Sequence, residues 1–257
     1  MATNPAAAQA TQDHRRRQGS LAGLVIKDVL SVWETLDPLR LDATARTWTA
    51  RVADQIARHR ATSQRLSAQY YQRFRGLEIG RDGWSLPRLT DSPAWRAALL
   101  VSLLVTGPVR IKRLTGRGMD PRQAADHAAP AVAAATVRQA RAAGRAAMLA
   151  YLRSDPRALG YMRVTDGDPC AFCAMLASRG AVYLTKSSAL TDKGNPEDGY
   201  HDGCGCEAEP VYTTTPALPE ASRRFAQLYK KHAEGLPAKQ ARNAFRRAYE
   251  ADRRAAT

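Results

Sequence analysis

The chain has 257 residues, 44% apolar and 25% charged, with 39 Lys and Arg against 24 Asp and Glu and a formal net charge of +15. That apolar share is enough to build one large packed domain or two small ones, and it excludes a wholly disordered chain. Met1 to Gly19 has no apolar core before a cleavage site, and the longest apolar run, Ala97 to Val105, is too short to span a bilayer. A reducing cytoplasm is therefore the expected place of synthesis.

The charge is uneven. Residues 1–160 carry 25 basic and 12 acidic side chains, residues 161–215 carry 4 and 8, and residues 216–257 carry 10 and 4. A basic block, an acidic module and a basic tail thus follow one another. Excess positive charge on this scale favours a polyanion such as double-stranded DNA, or an acidic protein surface. The alternative is solvated helix faces in a chain rich in Arg and Ala.

Residues 1–19 lack an apolar period and hold the basic run Arg15, Arg16 and Arg17, which reads as a disordered arm able to contact nucleic acid. From Ser20, apolar residues recur at three and four (Leu21, Leu24, Val25, Val29, Val32) to a stop at Asp37-Pro38. A second stripe through Trp48, Val52, Ile56, Tyr70 and Phe74 predicts a helix ending near Gly76. Residues 80–91 read as a loop. Ser92-Pro93 then caps an apolar helix to about Val105, interrupted by Gly107-Pro108. Asp120-Pro121 starts an Ala-rich helix to about Leu152, with Pro130 as an expected kink or break.

Beyond Ser154-Asp155-Pro156 the texture changes. Short strands are expected at Tyr161–Val164, Val182–Leu184 and Glu209–Tyr212, with a polar loop over 185–199. From Pro219 the pattern is helical again, broken at Gly235-Leu236-Pro237. The expected fold class is α+β, mostly α. It comprises an arm (1–19), a helical N-terminal body (20–154), a small metal-stapled module with short strands (155–215) and a helical basic tail (216–257).

All four cysteines lie in one window of 37 residues: Cys170-Ala-Phe-Cys173, then 27 residues, then His201-Asp-Gly-Cys204-Gly-Cys206. Two short-spaced sulfur pairs across a loop are how a chain offers soft ligands to one tetrahedral ion, usually zinc. In a reducing compartment metal ligation outranks two disulfides or four unpaired thiols. Five candidates exceed four coordination positions. The preferred set is Cys170, Cys173 and His201 with one or both of Cys204 and Cys206. A catalytic use would need His201 to activate a thiol, or an open zinc position with Glu207 or Asp202 as base. Thiolate-rich sites are usually closed, so no catalytic residue is assigned.

A helical half leads to Asp-Gly-Asp-Pro-Cys170-Ala-Phe-Cys173, and a loop closes on Tyr200-His201-Asp202-Gly203-Cys204-Gly205-Cys206. Over about residues 155–213 this resembles the Mu F-like minor head (head morphogenesis) proteins of tailed bacteriophages. The upstream helices agree in character only. The family often has a basic residue where this chain has Gly205.

The resemblance implies a minor capsid protein of the virion interior near the portal, acting in head assembly or in genome packaging and delivery. Its implied partners are the portal and the major capsid or scaffold protein, with packaged double-stranded DNA held by non-specific electrostatics. No membrane is expected during assembly, which would take place in the host cytoplasm. The alternatives are a capsid maturation protease and a non-phage, zinc-stabilised nucleic-acid-binding protein.

Overall fold

The computed structural model describes residues 3–90, 93–181 and 200–255. Helix α1 spans Pro5–Ser31 and is followed by a 3-10 turn, Trp33–Thr35; α2 spans Leu41–Ile79, α3 Ala94–Thr106, α4 Pro108–Thr115 and α5 Pro121–Ser154. At 1.5 Å per residue α2 and α5 are about 58 and 51 Å long, and with α1 they form the body. Their crossing is close because the residues there are small. A β-carbon at Gly144 of α5 would meet Ser67 Oγ at 2.7 Å and Ser63 O at 2.9 Å on α2. Gln18 of α1 closes the crossing, donating to Ser63 O at 3.2 Å and accepting from Ser63 Oγ at 3.0 Å.

The expected disordered arm is instead the first half of α1. Asn4 caps it, its side chain accepting from Ala6 N at 2.8 Å, and Pro5 fills the first helical position, where its missing N–H costs nothing. No apolar stripe marks this half, because its buried side is Ala7, Ala10, Thr11, His14 and Gln18. These residues have the helical spacing, but they seat on partners supplied by distant segments. Thr11 donates to Glu209 at 2.7 Å, and His14 stacks on Tyr70 with ring centroids 4.4 Å apart.

Two boundaries also differ from expectation. Helix α2 runs through Gly76 to Ile79, and Gly80, at φ +76°, ends it. Buried Phe74 and Arg75 anchor the last turns and outweigh the roughly 1 kcal/mol that a helical glycine costs. Helix α5 passes unbroken through Pro130. Both Pro130 and Asp126, whose carbonyl loses its helical partner, are on the exposed side, so the proline costs the helix little while the opposite side stays packed. The core beneath holds Trp48, Val52, Ile56, Leu99, Leu103, Ile111 and Val132.

Strand β1, Gly160–Val164, pairs antiparallel with β2, Glu207–Val211, placing Met162 opposite Glu209. Helix α6, Ala171–Ser178, follows β1; α7, Glu220–His232, and α8, Ala238–Ala255, complete the chain. The strand expected at Val182–Leu184 and the loop over 185–199 lie outside the described residues. The tail packs Phe225, Phe245 and Tyr249 on Ala174 and Met175 of α6, and the Tyr249 hydroxyl donates to Pro169 O at 2.5 Å. It therefore clamps the segment just before Cys170. The mostly helical α+β class expected from the sequence is the class observed.

Candidate metal centre

Each donor is placed by local chemistry. Cys170 is the N-cap of α6, and the Cys173 N–H points at its sulfur, 3.4 Å away. The sulfur thus faces the free N–H groups at the start of the helix. Cys173 sits one turn along, on the same side. The second half is a tight turn in which Cys204 N donates to His201 O at 3.1 Å and Gly203 takes φ +77°.

The five groups come together. His201 Nε2 lies 3.0 Å from Cys170 Sγ and 3.5 Å from Cys173 Sγ, and Cys173 Sγ lies 3.5 Å from Cys204 Sγ. Two triads result, Cys170–Cys173–His201 and Cys173–Cys204–Cys206, sharing Cys173. Zn–S bonds of about 2.3 Å place tetrahedral corners about 3.8 Å apart, close to the two separations of 3.5 Å. His201 Nδ1 faces Asp202 O at 2.8 Å. A carbonyl only accepts, so Nδ1 carries the proton and the Nε2 lone pair faces the sulfurs, as metal ligation requires. No disulfide joins the cysteines. Cys173, Cys204 and Cys206 are buried, Cys170 is half-buried, and His201 is at the rim.

The surroundings are cationic. Arg141 and Arg145, one turn apart on α5, both donate to Cys204 O, at 2.7 and 2.8 Å. Arg145 and Arg163 sandwich the Tyr200 ring, their guanidinium carbons 3.8 and 4.2 Å from its centroid. Arg163 Nη1 and the Nε atoms of Arg141 and Arg145 are buried with no acceptor among the described residues. Arg141 also pairs with buried Glu207. Burial pushes the Glu207 carboxyl up, but Arg141, with His14 and Arg145, holds it at about 2.

Among the sulfurs, hydrogen bonds from Cys173 and Cys206, helped by Arg145, hold Cys204 far below the usual thiol range. Bonding to Cys204 and Cys206, with burial, pushes Cys173 up. Cys206 is drawn down by Cys173, but Cys204 and burial raise it to about 12. Cys170, Cys173, His201, Cys204 and Cys206 are the residues that would hold a divalent ion, and thiolates bound to it would face the three arginines. The donor set and its surroundings fit a soft cation.

Neither carboxylate considered as a base is poised for that role. Glu207 is locked to Arg141, and Asp202 pairs with Arg138 at 2.6 Å.

The Arg15, Arg16 and Arg17 run lies on a helix and does not present one face. Arg16 pairs with Asp13, Arg17 reaches Gln69 at 3.4 Å, and both are exposed. Arg15 turns inward, lining with Asp166, Glu209 and Tyr249 a cleft of about 690 Å³. More basic surface is on α8, where exposed Lys239, Arg242 and Arg246 follow one another at three and four residues. Sequence reading did not single out Arg141, Arg145 and Arg163. The signal was two arginines four apart in an otherwise alanine-rich stretch.

A family model described as VG15 protein matches residues 5–235. The chain belongs to the VG15 family. This is a family of viral, phage gene products, so the phage character expected from the Cys/His window holds at that level. The matched span begins at the first residue of α1 and ends just past α7, covering body and centre but leaving out α8. No curated protein and no solved structure matches this VG15 chain.

Proposed function

We propose that this VG15 protein is a minor capsid, head morphogenesis protein of a tailed phage of the Mu F-like kind. It sits inside the head near the portal and acts in head assembly or in genome packaging and delivery. The observation that carries this reading is the clustering of Cys170, Cys173, His201, Cys204 and Cys206 in two triads that share buried Cys173, beside Arg141 and Arg145. Those positions carry the family resemblance, and their closed geometry suits a structural zinc staple better than a reactive centre. The ion fixes the turn before α6 to the turn before β2. With the α8 clamp on Pro169, that makes a rigid knob on a helical body.

The exposed cations of α8 and of Arg16 and Arg17 are the contacts for packaged double-stranded DNA, held without sequence preference. The test is co-expression of the full chain with the portal and major capsid proteins of its own phage, followed by gradient sedimentation and zinc analysis. Co-sedimentation with portal-containing particles and one zinc per chain are expected. A chain that stays at the top of the gradient in the presence of assembled heads overturns the reading.

A further inference from the structure

Helix α3 is apolar on two sides. Leu99 and Leu103 face the core and are fully buried. The outer side carries Ala94, Ala97, Val101, Leu104 and Val105, all exposed, with Val101 at 62% and Val105 at 56%. The steps 94–97–101–104 are three, four and three, the spacing of knobs along a coiled-coil seam. A helix that is apolar all round is normally covered all round. Among the described residues nothing covers Ala97, Val101, Leu104 or Val105.

The charges beside it narrow the choice of occupant. Exposed Val109 of α4 extends the apolar strip, followed by Arg110, Lys112, Arg113 and Arg117, and no Asp or Glu occurs between Ala94 and Met119. Lys112 reaches Asp42 at 2.5 Å, whereas Arg113 and Arg117 are exposed with no ion-pair partner among the described residues. A second copy of this face would bring no carboxylate to answer these arginines. Phosphates of a nucleic acid would answer the arginines but leave the valines wet.

The stretch Ala94–Thr115 is long and apolar enough to cross a membrane by composition. Its geometry argues otherwise. The chain turns at Gly107, packed close to the Trp48 ring, and Leu99 and Leu103 before the turn and Ile111 after it are all buried in the core of the body.

We infer that the α3–α4 face docks an acidic amphipathic helix of another protein, its apolar knobs seated along Ala97, Val101 and Leu104 and its carboxylates opposite Arg113 and Arg117. The exposed part of α3 is about 20 Å long. A single helix contact of that length falls short of the roughly 1,200 Å² of a self-sufficient interface. The partner helix therefore belongs to an assembly in which several contacts act together. Only the partner's identity as a head subunit rests on the function proposed above; the surface stands without it.

The test uses the full chain and a synthetic coiled-coil peptide with Leu at the seam and Glu at the flanks, with a Lys-flanked peptide as control. Wild-type protein is expected to bind the Glu peptide about tenfold or more tightly than the Lys peptide. The double variants Val101→Glu/Leu104→Glu and Arg113→Glu/Arg117→Glu, all at exposed positions, are each expected to lose about tenfold or more with unchanged circular dichroism. Equal binding of both peptides, or full binding by either variant, overturns the inference. Flotation with phosphatidylglycerol vesicles, or dimerisation, that Val101→Glu/Leu104→Glu abolishes while the Glu peptide fails to bind also overturns it, assigning the face to lipid or to a second copy. None of these outcomes bears on zinc content or portal co-sedimentation.

Discussion

The side chain of Asp166 fills the space that a β-carbon at Gly205 would need. Its Cγ would be 2.8 Å away and its Cβ 3.1 Å, so rotating the carboxylate alone would not make room. Gly205 is not at positive φ, so the requirement there is space and not backbone freedom. Gly205→Ala is expected to destabilise the protein by about 1–3 kcal/mol through overpacking and to weaken metal retention. Asp166→Ala should restore most of that loss in the double variant. Thermal unfolding and metal content of the four proteins check it, and a stable single variant would refute the steric account.

Cys173 belongs to both triads, so Cys173→Ser should remove more metal affinity than Cys170→Ser. The damage should also travel. Arg141 and Arg145 would both lose the ordered Cys204 carbonyl, weakening the hold on two buried cations at the C-terminal half of α5. Hydrogen exchange in the variant, or in wild type after chelation, is expected to rise at residues 138–152 as well as in the module, with α3 and α4 unchanged. Absence of stoichiometric metal in protein purified without oxygen would defeat the staple.

Arg75 bridges Asp82, at 2.7 Å, and Asp155, at 2.9 Å, and Asp155 also accepts from the Tyr71 and Tyr212 hydroxyls at 3.0 Å. Burial pushes the Asp155 carboxyl up, but Arg75, the Arg157 N–H and the two hydroxyls bring it below the usual carboxylate range. The hydrogen bond from Arg75, aided by the Trp84 N–H, holds Asp82 at about 2. Both groups bind protons less readily folded than unfolded. Their contribution is complete above the unfolded value of about 3.9 and disappears as pH falls through the depressed folded values. Urea unfolding from pH 7 down to about pH 2 should show a steep loss below about pH 4. Asp155→Asn should flatten that slope and cost on the order of 3 kcal/mol at neutral pH, by leaving Arg75 buried with half its charge partner gone. A variant with the wild-type acid slope would show that Asp155 is not the group responsible.

DNA binding through α8 has a signature in salt. Binding of the full chain to duplex DNA should weaken steeply with ionic strength and show little sequence preference. Replacing Lys239, Arg242 and Arg246 together by Glu should reduce the salt slope by about 0.9 for each phosphate that is no longer neutralised, while Arg15→Ala, whose guanidinium turns into the cleft, should change it little. Salt-independent binding would point to a different partner.

Much of the helical frame was legible in local chemistry. The apolar stripes of α2 and α3, the Asp120-Pro121 start of α5 and the Gly235-Leu236-Pro237 break are short-range signals, and each is where the chain acts on it. The Cys/His window was legible for the same reason, since ligand spacing is a property of neighbouring residues. What lay beyond local reading depends on distant partners. Thr11, His14 and Gln18 are helical and buried only because β2 and α2 supply Glu209, Tyr70 and Ser63. Arg141 and Arg145 become part of the centre only because α5 runs beneath the turn at Cys204. Polar residues carry no hydrophobic period, so their burial is decided by which acceptors the tertiary fold delivers. The family's character was accordingly visible in five residues, whereas the cationic seat that holds them became visible only in three dimensions.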